Sequence, residues 1–131
     1  MATKLIKKWQ DAFKVKGMDP NVLPDVSMIP EQYRKPVIAQ FILNVVADVL
    51  NEDWIADYTN SDQYKYYPYF VVKADAARPS GFGLSCSDCA DWCTITNCGV
   101  RLSYKDRETA KFAGQNFLHL YEDLYLPFYK G

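Results

Sequence analysis

All four cysteines of the chain, Cys86, Cys89, Cys93 and Cys98, lie in one short segment with the spacing C-x2-C-x3-C-x4-C. Thiolates suit Zn²⁺, and a closed tetrahedral set of four makes a structural site with no open position for a substrate. The spacing is one residue tighter than the C-x2-C-x4-H-x4-C zinc knuckle, and it matches neither standard ferredoxin pattern. The same side chains can instead form two disulfides in an oxidising compartment, or stay as free thiols in a hairpin. If all four hold Zn²⁺, the ion is a structural clip.

Other chemistry is sparse. His119 is the only histidine. It lies on a helical stretch, and Cys–His catalysis would require a thiol within hydrogen-bond reach of it. The carboxylate pairs Glu52/Asp53, Asp88/Asp91 and Glu122/Asp123 are expected on the solvated surface, whereas acid–base work needs one carboxyl held in an apolar pocket. Gly81-Phe82-Gly83 lacks the third glycine and the following helix of a phosphate-cradling loop. No residue is assigned a catalytic role, and the balance leans away from an enzyme without closing that reading.

The aromatic run is the most unusual compositional feature. Trp54 and Tyr58 precede Tyr64, Tyr66, Tyr67, Tyr69 and Phe70. On a strand, alternate members pack under helices while the outward half forms a binding face. Tyr and Trp offer large contact area at low entropic cost to a protein partner, and aromatic faces can also stack single-stranded bases. The net charge of −1 lacks the basic surplus of a duplex binder. Lys4, Lys7, Lys8, Lys14 and Lys16 read as the solvated face of a first helix. A protein partner is therefore favoured over nucleic acid. Arg101, on a later strand, joins the candidate binding residues. With Arg107 or Tyr67 it would line a polar pocket in the alternative reading, a protein that binds a nucleotide or another small molecule or an enzyme that acts on one.

A chain of 131 residues with 49% hydrophobic and 24% charged residues has the make-up of one globular domain. Leu5, Ile6, Trp9, Ala12 and Phe13 stripe a helix from Lys4 to Lys16, capped by Thr3 and stopped at Gly17. A connector with Pro20, Pro24 and Pro30 follows. Ile38, Phe41, Ile42, Val45, Val46 and Val49 mark a central helix over about Pro36–Leu50; Pro30–Lys35 is either a separate short turn or a lead-in. From Tyr64 the period becomes that of strands: Tyr64–Val72, with Pro68 confining it to an edge or bulge, then Gly81–Ser85, Trp92–Thr96 and Val100–Tyr104. Asp106 caps a closing helix to about Tyr125, with Ala113, Phe117, Leu120 and Leu124 inward. The order predicts a single α+β domain over residues 1–131, with a helical part (1–50), a strand part (64–104) and a closing helix (106–126). Its sheet is an antiparallel meander of three or four strands on the central and closing helices, with the N-terminal helix added.

No apolar run reaches the roughly 20 residues needed to span a bilayer. The longest, Val37–Leu50, is broken by Gln40, Asn44 and Asp48. No signal peptide or lipidation box is evident, so a cytoplasmic location is expected.

Two segments carry a resemblance. Lys65-Tyr66-Tyr67-Pro68-Tyr69-Phe70 after a tryptophan-bearing loop, then Gly99-Val100-Arg101-Leu102, then Glu108, Ala110, Ala113, Gly114 and Phe117 on the closing helix form the pattern. It resembles a family of uncharacterised small proteins encoded by phages and prophages of gut Bacteroides-type bacteria. The resemblance covers about the C-terminal two thirds and brings no activity with it. It implies an accessory protein in the cytoplasm of a bacterial host, acting on a host or phage protein, or else a virion-associated structural component. The cysteines fall where that family varies, so a zinc clip would be particular to this chain.

The cysteine reading has a direct test. Elemental analysis of protein purified under reducing conditions should find about one zinc per chain, and chelator should loosen the Ser85–Gly99 segment without unfolding the core. Zero zinc, four titratable thiols and an unchanged melting temperature in chelator would remove the clip.

Overall fold

Apolar residues recur at every turn of the central helix, and the other helices pack against it. The computed structural model describes residues 6–57, 59, 60, 62–75, 77, 82–92 and 102–126. Along them run α1 (Trp9–Val15), α2 (Glu31–Asn51), β1 (Lys65–Ala74), β2 (Phe82–Trp92), α3 (Arg107–Asn116) and α4 (Leu118–Tyr125). The protein is α+β: a two-stranded antiparallel sheet packs on α3 and α4, whereas α2, expected against the sheet, has its apolar face taken up by the other helices.

In α2, Ala39, Ile42, Leu43, Val45, Val46, Val49 and Leu50 are buried. Phe117 and Leu120 join them in the core, and half-buried Phe41 packs against it, its ring edge-on to Phe13 at 5.8 Å. The helix starts at Glu31, so Pro36 lies inside it rather than at its first turn. Pro36 has no N–H to give the Gln32 carbonyl, a loss confined to the exposed N-terminal end. Arg34 secures that end. Its Nε donates to the Ile29 carbonyl at 2.7 Å and its Nη2 to the Ser27 carbonyl at 3.2 Å.

Helix α1 is shorter than its apolar stripe predicts, and the expected cap Thr3 and start Lys4 lie outside the described residues. Asp11 Oδ2 accepts the Lys7 and Lys8 amides at 3.0 and 3.3 Å, occupying N–H groups at the helix start. Gly17 ends the helix as expected, at φ +70°, and the Met18 amide then reaches back to the Phe13 carbonyl at 2.8 Å.

Strand β2 departs from the two short strands that the residues predict around the cysteine segment. One strand runs through Cys86 and Cys89, in register from Lys65↔Trp92 to Ala74↔Phe82. Cys86 pairs with Phe70 and Asp88 with Tyr69, so Ser87 is the extra residue of a bulge. The ten residues of β1 offer a ladder long enough to draw in this polar segment, and the bulge absorbs the mismatch. Of the last expected strand, residues 102–104 are described. Tyr104 exchanges both backbone hydrogen bonds with Tyr66, at 2.7 and 3.1 Å, on the edge of β1 away from β2.

The closing helix is broken in two at Phe117, whose φ of −119° and ψ of 30° interrupt it. The Asn116 side chain donates to the Phe112 carbonyl at 2.9 Å, an alternative to the helical ladder, and the turn lets the Phe117 ring become fully buried. Asp106 caps α3 as expected, its Oδ1 accepting the Thr109 amide at 2.7 Å. Gly114 is buried in α3, which packs on both strands.

One side chain joins α2 to the segment before α3. Asn51 is buried; its Nδ2 donates to the Ser103 carbonyl at 2.9 Å and its Oδ1 accepts the Lys105 amide at 3.0 Å. The amide thus acts as a strand partner for residues 103–105, and Lys105 Nζ lies 3.3 Å from Glu52 Oε1 beside it. Asn51→Ala leaves a buried donor and acceptor unmet and should lower stability by about 1–3 kcal/mol in urea denaturation. An unchanged midpoint would mean that the clamp contributes nothing.

Candidate functional site

Alternation along β1 sorts the aromatic run into two faces. Tyr66, Pro68 and Phe70 turn toward the helices: Pro68 is buried, and Tyr66 and Phe70 pack on the core. Phe70 meets Tyr121 at 4.9 Å between ring centres and Tyr125 at 5.9 Å. The Arg107 guanidinium lies 5.8 Å from the Tyr66 ring centre, a cation–π distance. Tyr67, Tyr69 and Val71 occupy the other face. Tyr67 is half-buried, while Tyr69 is 57% and Val71 41% exposed.

The sequence candidates therefore do not form one surface. Tyr64 is exposed with its ring 6.4 Å from that of Tyr66, at the start of the helix-facing row. Tyr67 and Tyr69 belong to the opposite row. Trp54 is half-buried just beyond α2, its amide donating to the Asn51 carbonyl at 2.9 Å. Tyr58 and Arg101 lie outside the described residues. Val71 was missed because it is not aromatic; it follows Tyr69 on the same row, at the end of β1 where Val72 of the other row is exposed as well. The outward row reads Tyr-x-Tyr-x-Val-x-Lys, ending on exposed Lys73.

Backbone register places Cys86 opposite Phe70 and Cys89 opposite Pro68, two positions of the same β1 row, because the bulge changes the parity between them. Cys93 and Cys98 lie outside the described residues. Among the described residues no group of three or more His, Cys, Asp or Glu side chains is placed to hold a metal.

A hollow of about 470 Å³ lies along α3, lined by Arg107, Glu108, Lys111, Phe112, Gln115 and Asn116. Its two cations share it with the Glu108 carboxylate, which weakens it as an anion site. His119 is exposed on α4. Burial raises the carboxyl of Asp123, with Lys35 and His119 opposing the shift. No described helix is long and apolar enough to cross a membrane.

Behind the aromatic rows, Tyr104 and Tyr121 are fully buried with their hydroxyls 2.7 Å apart. No protein-family model, curated protein or solved structure matches this chain.

Burial holds the Tyr104 phenol well above its usual value, and the Tyr121 hydrogen bond offsets only part of this. A raised folded pKa favours the protonated form, so the stability that Tyr104 contributes is complete below the unfolded value of 10.0 and is lost as pH rises above it. Phenolate absorbance should show Tyr104 ionising only with alkaline unfolding, and Tyr104→Phe should flatten the fall in stability above about pH 10. The same slope in the variant would assign the alkaline loss to other groups.

Proposed function

We propose that this protein is a non-enzymatic accessory factor of a phage or prophage, cytoplasmic in its bacterial host, that works by binding a host or phage protein. The observation that supports it is the outward row of β1, where Tyr67, Tyr69 and Val71 present aromatic and branched side chains on a face that the helices leave open. Large, rigid side chains in a row make a contact core at small entropic cost. Among the described residues a small-molecule reading draws on the α3 hollow, where Glu108 counters Arg107 and Lys111.

The proposal carries two structural parts. The Tyr66–Tyr104 pairing supports a third strand, as a three- or four-stranded meander requires. The common β1 row opposite Cys86 and Cys89 supports a structural Zn²⁺ held by Cys86, Cys89, Cys93 and Cys98.

Affinity capture from phage-infected cells tests the binding role. The wild-type protein should retain a stoichiometric partner, and Tyr69→Asp/Val71→Asp, confirmed as folded by circular dichroism, should retain about tenfold less. Equal capture by both would overturn the role of this face. A stoichiometric amount of the protein in purified particles would make it a virion component instead.

A further inference from the structure

The loop between α2 and β1 carries oxygen-bearing side chains at Asp57, Thr59, Asn60, Asp62 and Gln63, the composition of a segment that wraps a cation. It is closed by its own hydrogen bonds. Asp57 Oδ1 accepts the Thr59 amide at 2.9 Å and the Thr59 hydroxyl at 2.6 Å. Asn60 Oδ1 accepts the Asp62 amide at 2.9 Å. Gln63 bridges the two ends: its Oε1 accepts the Asp57 amide at 2.6 Å and its Nε2 donates to the Ile55 carbonyl at 3.0 Å.

Two backbone carbonyls of this ring converge on one cation. Lys65 Nζ donates to the Asp57 carbonyl at 2.7 Å and to the Asn60 carbonyl at 3.1 Å. Both carbonyls also close turns, accepting the Asn60 amide at 3.2 Å and the Gln63 amide at 3.3 Å. Lys65 has 0% of its surface exposed, the rarest condition for a lysine. It stands on the outward row of β1, so solvent would meet it if the loop lifted away.

We propose that the Asp57–Gln63 loop is an internal cation site whose resident ion is the Lys65 ammonium, which takes the place of a metal and fastens the loop over β1. An ammonium offers three donors at one point charge, suited to converging carbonyls. A buried charge is tolerated only where such partners replace its water. Burial therefore couples loop and lysine: the two converging loop carbonyls take the place of water around the Lys65 ammonium. The Asp57 carboxyl is held below its usual range chiefly by the Thr59 hydrogen bonds, with the Lys65 charge as a further, smaller cause. This inference does not depend on what the row beyond Lys65 binds.

Nuclear magnetic resonance on the ¹⁵N-labelled protein tests it. The Lys65 ammonium protons should exchange with water at least about tenfold more slowly than those of exposed Lys14 and Lys73. Exchange at the same rate would overturn the proposal. In Lys65→Met the Thr59, Asp62 and Gln63 amides should exchange at least about tenfold faster, while Leu43 and Val46 in α2 stay within about twofold. Unchanged loop amides in the folded variant would overturn it as well, and if the variant does not fold, the wild-type ammonium measurement decides. Adding calcium chloride to the wild-type protein should leave the loop resonances in place. Saturable shifts confined to Asp57–Gln63 would show a metal site and overturn the lysine's role as resident ion.

Discussion

The short segment at residues 103–106 is where the elements of this protein are tied together. Its backbone bonds to β1 through Tyr66 and to the Asn51 side chain at the end of α2. The Tyr104 hydroxyl meets Tyr121 on α4, and the Asp106 cap that begins α3 follows at once. Four elements separated along the chain thus meet at four consecutive residues, 103 to 106. Buried polar groups give such a junction its sharpness. An apolar contact tolerates small sliding, but a donor and acceptor sealed from water lose about 1–3 kcal/mol when their partner moves away.

That junction also explains why the sheet has one covered face. The Tyr66–Tyr104 pairing and the Phe70–Tyr121 contact set the helix-facing row of β1 against α3 and α4. The odd-numbered row is then turned outward by pleat geometry alone. A second carboxylate tie works at the other strand, where buried Glu122 on α4 accepts the Leu84 amide at 3.2 Å. Gly83 lies next to it, and a Cβ there would meet Asp75 Oδ2 at 3.4 Å and Glu122 Oε2 at 3.6 Å, ordinary contact distances. The outward row owes its openness to these ties, since they hold the helices on the opposite side.

Along that row the environment changes within a few residues. Lys65 is sealed under the loop, Tyr67 is half-covered, and Tyr69, Val71 and Lys73 stand in solvent. The loop lies beside the open row, with the Asp57, Thr59 and Gln63 side chains engaged in its own turns.

Local signals were legible in the sequence wherever a residue's role depends on near neighbours. The apolar stripe of α2, the left-handed stop at Gly17, the Asp106 cap, and the placing of Pro68 beside a bulge all follow from period, φ preference or a side chain reaching a few residues. So did the α+β class and the two-faced character of the Tyr64–Phe70 run. What could not be read off depends on partners far along the chain. Whether Cys86–Trp92 continues a strand depends on the length of β1. Whether Asn51 is a buried clamp or another exposed loop asparagine depends on a carbonyl 52 residues away. Lys65 looks like any strand lysine until the loop before it closes around its ammonium. Trp54, Tyr64, Tyr67 and Tyr69 looked like one group by type. Only the packed structure separated them, because pleat and helix coverage decide which ring meets water.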